Sequence, residues 1–378
     1  MIKVLFLIRS LDAGGAERQL VELVKNLDKN RFEAVVVTFY AGGGLSSDLA
    51  SQQGVKLFSL EKSGRWNNLV FIKKLIDLIH SEMPDMIHGY LDVANLFALL
   101  AGKLTHTPVI WGVRAAYMDM KQYDWTASSV YRLTTLLSGM PDYVIVNSFA
   151  GKDYHMMNGY SSVNIVVIPN GINTVFFQKT PLAGEAFRHK WQSSEADVLI
   201  GVVGRLDPMK DHFNFIRAVS ILSKDHKNSR FVCIGDGKPE YRLKLESEST
   251  RLGLQNDLIW TGSQTDMLAV YNALDILVLS SRGESFPNVV GEAMACGLPI
   301  VATDVGDVRR LVGEAGIVVE VSNSAALARG IQSLLDMPSE QRTNLGQRGR
   351  ERIESLFSVN RMVERTQEVF EKLCKRKK

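Results

Sequence analysis

Two glutamates at a fixed spacing are the residues of this sequence best suited to chemistry. Glu284 and Glu292 lie in the segment Arg282-Gly283-Glu284-Ser285-Phe286-Pro287-Asn288-Val289-Val290-Gly291-Glu292, which follows the apolar run Ile276–Leu279. A carboxylate can accept hydrogen bonds from two vicinal hydroxyls, so one glutamate could hold a sugar and the other a ribose. A helix with acidic residues near its first turn would look similar. The glycine-rich, apolar surroundings favour a binding site.

The backbone between these glutamates is predicted to begin a helix just after a strand. Pro287 suits the first turn of that helix, and the amides of Phe286, Asn288 and Val289 would lie at its N-terminus. Free amides and the helix dipole attract anions at this position. We therefore expect the segment from Phe286 to Val289 to face a diphosphate.

Two cations follow another predicted strand. Gly204, Arg205 and Lys210 come directly after the apolar run Val198–Val203. A departing diphosphate gains negative charge as a sugar bond breaks, and an arginine with a lysine could neutralise that charge. Taken alone, a solvated loop that contains two basic residues explains the pattern equally well.

The first half of the chain carries weaker candidates. Gly14 and Gly15 follow the first predicted strand and open a helix, where paired glycines let a ligand approach the backbone. The full glycine fingerprint of dinucleotide-binding proteins is missing, so a tight turn is an equally good interpretation. His88 and Arg114 each follow a predicted strand and are candidates for the same cleft. For His88, a buried histidine with satisfied hydrogen bonds is the more common situation.

Short apolar runs alternate with longer segments of helical period along the whole chain, which indicates parallel strands covered by helices. The pattern predicts an α/β protein with two doubly wound domains. The break at Ile168–Ile172, where Pro, Asn and Gly stand together, divides residues 1–170 from residues 171–358. Helical periodicity returns in the last segment, residues 359–378.

Composition excludes several classes of protein. The chain has 378 residues, 46% of them hydrophobic, and a formal net charge of +3, which is too small to favour nucleic-acid binding. The apolar N-terminus ends at Arg9 and predicts a buried strand rather than a signal peptide. Three widely spaced cysteines fit a reducing cytosol. Neither an Asp-x-Asp element nor a cluster with metal-ligand spacing is found, so we expect no metal cofactor.

Taken together, these motifs resemble the group 1 glycosyltransferases of family GT4. The resemblance covers nearly the whole chain and lies in the order of its elements. These are Gly14-Gly15-Ala16-Glu17-Arg18, Ile168-Pro169-Asn170-Gly171-Ile172, Gly204-Arg205-Leu206 with Lys210, Gly235-Asp236-Gly237, the Glu-x7-Glu element Glu284–Glu292, and Cys296-Gly297-Leu298-Pro299-Ile300-Val301-Ala302-Thr303.

The resemblance implies a GT-B fold, with two Rossmann-like domains that face a central cleft. The first domain would bind the acceptor, the second would bind a nucleotide sugar, and the terminal helix would pack back on the first. Arg205 and Lys210 would neutralise the donor diphosphate, Glu284 would hold the donor sugar, and Glu292 would hold the ribose. Gly14 and Gly15 would approach the donor from the other domain.

The resemblance also implies transfer with retention, without a metal, from a UDP-sugar in preference to a GDP-sugar. The acceptor would be a glycan or a lipid-linked glycan of polysaccharide or lipopolysaccharide biosynthesis. We expect a cytoplasmic protein with peripheral contact to the inner face of the membrane. Aromatic and methionine side chains just after Arg114 could line an apolar acceptor or touch a bilayer, namely Tyr117, Met118, Met120, Tyr123 and Trp125.

One position departs from the family pattern. Many relatives have a histidine at the end of the strand that corresponds to residues 109–112, where this chain reads Trp111-Gly112-Val113-Arg114. Two alternatives of other kinds stay open. A two-domain NAD-dependent dehydrogenase would need the complete glycine fingerprint, and a non-catalytic two-lobed sugar-binding protein would have no use for Arg205, Lys210 and two spaced glutamates.

Overall fold

The computed structural model describes residues 1–12, 14–64, 67–114, 125–191, 197–226 and 228–376. The chain forms two compact units. The first consists of Met1–Gly171 together with Val359–Lys378, and the second of Ile172–Ser358. The division from sequence placed Gly171 in the second domain, whereas the structure places it in the first unit.

The first unit is built on a parallel sheet of seven strands. The strands are β1 Ile2–Ile8, β2 Phe32–Thr38, β3 Val55–Ser59, β4 Met86–Tyr90, β5 Val109–Val113, β6 Tyr143–Val146 and β7 Ile165–Val167. The helices up to residue 171 are α1 Gly15–Asn26, α2 Ser46–Ala50, α3 Asn68–Glu82, α4 Asp92–Thr105, α5 Trp125–Leu137 and α6 Phe149–Met157. The strand order is β3-β2-β1-β4-β5-β6-β7. The central strands are buried on both faces, as their continuous apolar runs require.

The second unit repeats this plan with six parallel strands. The strands are β8 Val198–Val203, β9 Ser229–Ile234, β10 Leu258–Gly262, β11 Ile276–Leu279, β12 Ile300–Thr303 and β13 Gly316–Val319. The helices are α7 Glu185–Lys190, α8 His212–Leu222, α9 Pro239–Arg251, α10 Met267–Ala273, α11 Asn288–Ala295, α12 Val308–Val312, α13 Ser324–Leu335 and α14 Ser339–Leu356. The strand order is β10-β9-β8-β11-β12-β13.

The last helix, α15 Val359–Lys375, belongs to the first unit. Its apolar residues recur at helical spacing and form one buried stripe. Phe370 lies on that stripe, with its ring 6.1 Å from the ring of Phe6 in β1 and 6.0 Å from that of Phe32 in β2. The core on this face of the sheet is therefore completed by residues more than three hundred positions away in sequence.

Both sheets reverse their strand order at one place, between β1 and β4 in the first unit and between β8 and β11 in the second. In open parallel sheets, the loops after the two strands at such a reversal lead to opposite faces and leave a crevice at the carboxyl edge. Open parallel sheets bind ligands at such crevices. No helix in the described part of the chain is long and apolar enough to cross a membrane.

Candidate active site

The loops after β8 and β11 bring Lys210 and Glu284 together at the carboxyl edge of the second sheet. The ammonium nitrogen of Lys210 lies 2.6 Å from Oε1 of Glu284, and the hydroxyl of Ser281 donates to the same oxygen at 2.7 Å. The side chains of Lys210 and Glu284 are 26% and 12% exposed. A cation and a carboxylate, 74 residues apart in sequence, thus form a partly shielded pair at the point where the sheet reverses.

Several hydrogen bonds hold the two loops against each other. The amide of Arg282 donates to the carbonyl of Met209 at 2.7 Å, and the hydroxyl of Ser280 donates to the carbonyl of Lys210 at 2.8 Å. The guanidinium of Arg282 donates to Oδ2 of Asp211 at 2.7 Å. These bonds fix the backbone of Lys210 relative to the loop that carries Glu284.

Asp211 is an unusual member of this arrangement. It is buried, and its backbone has a φ of 46°, in the left-handed region that non-glycine residues rarely adopt. The hydroxyl of Ser322 donates to its carboxylate at 3.1 Å, beside the bond from Arg282. The left-handed backbone of Asp211 lies between the short 3-10 turn Pro208–Lys210 and the start of α8, while its carboxylate is held by Arg282 and Ser322.

The structure places Arg205 away from the Lys210–Glu284 pair. Its side chain is 75% exposed and lies 3.3 Å from the carboxylate of Asp207. The preceding residue, Gly204, is held to β9 because its amide donates to the carbonyl of Ile234 at 3.0 Å. Of the two cations predicted to act together, Lys210 is fixed by the protein, whereas Arg205 extends into solvent from the same loop.

Helix α11 follows the loop of Glu284. Pro287 is the residue before the helix rather than a member of its first turn, because its ψ of 99° is extended. The helix therefore begins at Asn288. Glu292 lies on its second turn, where Oε2 accepts a hydrogen bond of 2.6 Å from the hydroxyl of Tyr271 in α10. Because Tyr271 is buried, its hydroxyl holds Oε2 of Glu292 in a fixed position.

A third loop, after β12, supports the segment that carries Glu284. Gly306 has a φ of +54°, and a Cβ atom there would lie 2.2 Å from the carbonyl oxygen of Glu284. The amide of Asp307 donates to the carbonyl of Ser285 at 3.1 Å. Only glycine allows this close approach of two backbones. Gly306 was not predicted as a site residue, since the contact joins loops that follow different strands.

His212 lies beside this site and was also not predicted. The ring is buried, and neither nitrogen has a hydrogen-bond partner in the part of the chain that the structure describes. Burial, together with the charge of Lys210, lowers the pKa of His212 to about 4. The imidazole is therefore neutral at pH 7 and serves as part of the packing under the loop.

Of the candidate residues of the first unit, Gly14, Gly15 and Arg114 follow strands at the carboxyl edge of its sheet. The prediction that His88 follows a strand is wrong, because His88 lies within β4. Gly14 precedes α1 and Gly15 is its first residue, so the two glycines form the start of that helix. The guanidinium of Arg114 donates to Oδ1 of Asn170 at 3.1 Å and lies 4.8 Å from the centre of the Tyr90 ring. Residues 115–124 and the side chain of Trp125 lie outside the described residues, and with them the predicted aromatic and methionine cluster.

His88 is buried, as expected, but it is not satisfied by hydrogen bonds. Its ring packs among the rings of Phe6, Tyr90 and Phe370, and neither nitrogen has a partner within the described residues. Burial and the nearby charge of Arg114 hold the pKa of His88 well below its usual range. The expectation of satisfied hydrogen bonds is wrong, because the rings around His88 pack against it without hydrogen bonding to its nitrogens.

Two family models match successive parts of the chain and together cover most of its length. The model described as glycosyl transferases group 1 matches residues 184–352, and the model described as glycosyltransferase family 4 matches residues 13–176. The chain is a group 1, family 4 glycosyltransferase.

Similar proteins agree with this assignment. The chain is 25% identical to the capsular polysaccharide biosynthesis glycosyltransferase CapM of Staphylococcus aureus, over 82% of each protein. It is 26% identical to an α-1,4-N-acetyl-D-galactosaminyltransferase of Campylobacter jejuni that acts on a diphospho-undecaprenol-linked glycan, over 78% of this chain and 77% of that one. Anabaena HepE, solved with UDP and glucose, superposes with a TM-score of 0.85 at 23% identity, over 98% of this chain and all of HepE. This glycosyltransferase therefore has the GT-B fold.

Among the described residues of this glycosyltransferase, there is no group of three or more histidine, cysteine or carboxylate side chains that could hold a metal ion. Besides Gly306 and His212, sequence reasoning missed residues that support others, namely Tyr271, Ser281, Asp211 and Arg282. Of these, Ser281 and Arg282 directly precede the Glu-x7-Glu element, so their position after a strand was the available signal.

Proposed function

We propose that this glycosyltransferase transfers a hexosyl or N-acetylhexosaminyl group, with retention, from a UDP-sugar to a lipid-linked or growing glycan. The observation that carries the proposal is the Lys210–Glu284 pair at the crevice of the second sheet. A fixed cation beside a fixed carboxylate suits a ligand that joins an anionic diphosphate to a sugar rich in hydroxyls.

Each group of the donor would meet a matching group of the second unit. The two hydrogen bonds that the Glu284 carboxylate accepts in the described part of the chain both use Oε1, so Oε2 would accept bonds from hydroxyls of the donor sugar. Glu292, held by Tyr271, would bind the ribose. The amides of Phe286, Asn288 and Val289 at the start of α11 would bind the diphosphate.

The chemistry would depend on stabilising the leaving diphosphate. As the bond between the anomeric carbon and the phosphate oxygen lengthens, charge builds up on that oxygen, and Lys210 and Arg205 would compensate it. The exposed Arg205 would turn onto the ligand when it binds. The acceptor hydroxyl would attack from the face that the diphosphate leaves and pass its proton to the departing phosphate oxygen. No protein nucleophile takes part in this scheme.

Two cations of the same loop would supply the charge that a divalent metal supplies in other transferases, so we propose that transfer is metal-independent. The preference for UDP is supported by HepE, which was solved with UDP and with UDP-glucose. The acceptor class is supported by the relatives that build capsular polysaccharide and diphospho-undecaprenol-linked glycans.

We also propose a cytoplasmic enzyme that touches the inner face of the membrane through its first unit. Helices α4 and α5 pack against each other and carry four exposed leucines. These are Leu100, Leu104, Leu133 and Leu136. Exposed Lys103 and Arg132 lie among them and would attract anionic lipid.

The decisive experiment is a panel of nucleotide sugars assayed for release of free nucleoside diphosphate, with and without EDTA. We expect release from a UDP-sugar, unaffected by the chelator, and anomeric retention in the product by NMR. Loss of release in Glu292→Ala, with an unchanged melting temperature, would support the assigned site. Release that needs a metal ion, or an inverted product, would contradict the mechanism.

A further inference from the structure

Arg114, at the carboxyl edge of the first sheet, is held in place by two contacts. It directly follows β5, and its guanidinium lies 4.8 Å from the centre of the ring of Tyr90, the last residue of β4. This distance is typical of a cation–π contact. Nη1 of Arg114 donates to Oδ1 of Asn170, after β7, at 3.1 Å. A neighbouring strand and a segment distant in sequence therefore fix the guanidinium.

The segment that carries Asn170 is itself anchored. Asn170 is buried, and the next residue, Gly171, exchanges two hydrogen bonds with the side chain of Gln19 in α1. Nε2 of Gln19 donates to the carbonyl of Gly171 at 2.9 Å, and Oε1 accepts from its amide at 2.7 Å. A Cβ atom at Gly171 would lie 2.7 Å from Cα of Val359, so glycine is required where α15 begins. Asn170 therefore offers Arg114 an acceptor in a fixed position.

The positive charge of Arg114 has no carboxylate partner within the described residues. Its polar contacts there are the hydrogen bond to Asn170 and the stacking on Tyr90. Its Nε is buried and donates to none of these residues. A neutral amide and an aromatic ring leave the charge unbalanced, and a partly buried cation without a counter-ion costs free energy. An anion bound beside Arg114 would offset that cost.

Two titratable rings interact with Arg114, and both are neutral at pH 7. Burial raises the pKa of Tyr90, and the charge of Arg114 opposes this effect only in part. Burial, together with the charge of Arg114, holds the pKa of His88 well below its usual range. Neither ring therefore supplies a counter-charge, and neither adds a second cation.

The guanidinium keeps donors for a ligand. Arg114 is partly exposed, and its buried unpaired atom is Nε, whereas Nη2 donates to none of the described residues. The two Nη atoms form one edge of the planar guanidinium. Such an edge can donate to two oxygens of one phosphate group. The carboxyl edge of a parallel sheet is also the place where ligands of this fold class bind.

We infer that Arg114 binds the phosphate group through which the acceptor glycan is attached to its lipid, with Asn170 as its positioning residue. This inference rests on the proposed function, because it names a chemical group of the acceptor. A neutral sugar hydroxyl would leave the charge of Arg114 unbalanced, whereas a phosphate would neutralise it. The donor diphosphate is assigned to Arg205 and Lys210, so each unit would have an anion site of its own.

Inorganic pyrophosphate is a suitable probe, provided that the donor site is disabled. In an Arg205→Met/Lys210→Met background, isothermal titration should still detect one pyrophosphate per chain. Adding Arg114→Met should weaken that binding about tenfold, the loss expected for one charge-assisted contact. Absence of pyrophosphate binding in the double-variant background, or equal binding after Arg114→Met, would overturn the inference.

Asn170→Asp tests the same site while keeping the arginine. The change preserves the shape of the side chain and puts a carboxylate oxygen at the position of Oδ1, 3.1 Å from Nη1 of Arg114. An internal ion pair would then compete with the ligand, so pyrophosphate binding should weaken about tenfold in this variant too. Thermal unfolding checks that each variant is folded. Unchanged binding in folded Asn170→Asp would contradict the inference even if Arg114→Met does not fold.

Arg376→Met is the matched control. Arg376 also lies over a tyrosine in the first unit, 5.1 Å from the centre of the Tyr143 ring. Tyr143 is the first residue of β6, so this pair lies at the opposite, amino edge of the sheet. Pyrophosphate binding should stay unchanged in this variant. An equal loss in Arg376→Met and Arg114→Met would show a general effect of charge and overturn the inference.

A kinetic arm separates an acceptor phosphate from a donor phosphate. With the UDP-sugar that supports turnover, Arg114→Met should raise the KM for a diphosphate-linked lipid acceptor about tenfold. The KM for the octyl glycoside of the same glycan should not change, nor should the KM for the donor. If the unaltered enzyme neither transfers sugar nor hydrolyses any donor, the proposed function fails. If it transfers sugar but Arg114→Met affects both acceptors alike, or raises the KM for the donor instead, only this inference fails.

Discussion

Replacing Lys210 by methionine tests whether the pair at the crevice serves chemistry or stability. The change keeps most of the side-chain length and removes the charge 2.6 Å from Glu284. Glu284 retains the bond from Ser281. Exposed ion pairs contribute about 0–1 kcal/mol and breaking a buried pair costs about 3–5 kcal/mol, so this partly exposed pair should contribute about 2 kcal/mol to folding.

The expected catalytic loss is larger than the loss of stability. Removing one preorganised group that stabilises developing charge costs about a hundredfold to a thousandfold in kcat. Release of nucleoside diphosphate should be measured under single-turnover conditions, so that product release does not mask the chemical step. Thermal unfolding of the same protein samples reports the effect on the fold.

Arg217→Met is the control for this experiment. Arg217 on α8 also forms an ion pair in the second unit, 3.1 Å from Glu248, but it lies outside the crevice. We expect nearly full activity in this variant. If Lys210→Met turns over within about threefold of the unaltered enzyme, or if Arg217→Met loses as much activity, the role assigned to Lys210 is refuted.

Three further changes follow from the same contacts. Tyr271→Phe removes the hydroxyl that donates to Glu292 at 2.6 Å, so the Kd for UDP should rise about threefold to tenfold. The melting temperature should stay nearly constant. An unchanged Kd would contradict the role of Glu292. Among the described residues, Arg282→Met leaves the buried carboxylate of Asp211 with the bond from Ser322 alone, so chemical unfolding should show a loss of about 2–3 kcal/mol. A loss below about 0.5 kcal/mol would argue against the contact between the two loops. The pKa of His212 lies at about 4 in the folded protein, below its unfolded value of about 6.5. Between these pH values the unfolded chain is protonated at His212 while the folded chain is not. The free energy of unfolding should therefore fall by up to about 3 kcal/mol as pH decreases from 6.5 to 4. His212→Leu should remove this part of the pH dependence, and an unchanged stability profile between these pH values would show that another group causes it.

Strand prediction succeeded in the centre of each sheet and failed at the edges of the first. Val198–Val203 and Ile276–Leu279, at the centre of the second sheet, have the bounds expected from their apolar runs. Strands β3 and β7, the two edge strands of the first sheet, were not predicted from the sequence. Edge strands are only half buried, so their residues need not be continuously apolar, and β7 has only three residues.

Sequence alone was sufficient for the fold class and for the residues of the candidate donor site, because both depend on local patterns. Alternating strand and helix periods indicate a doubly wound sheet, and the position of a residue just after a strand places it at the carboxyl edge. The partners of those residues were decided only by tertiary structure. Lys210 meets Glu284 because β8 and β11, which are distant in sequence, lie side by side, and Tyr271 of α10 meets Glu292 of α11. Such contacts depend on strand order and register, which no short segment of the sequence encodes.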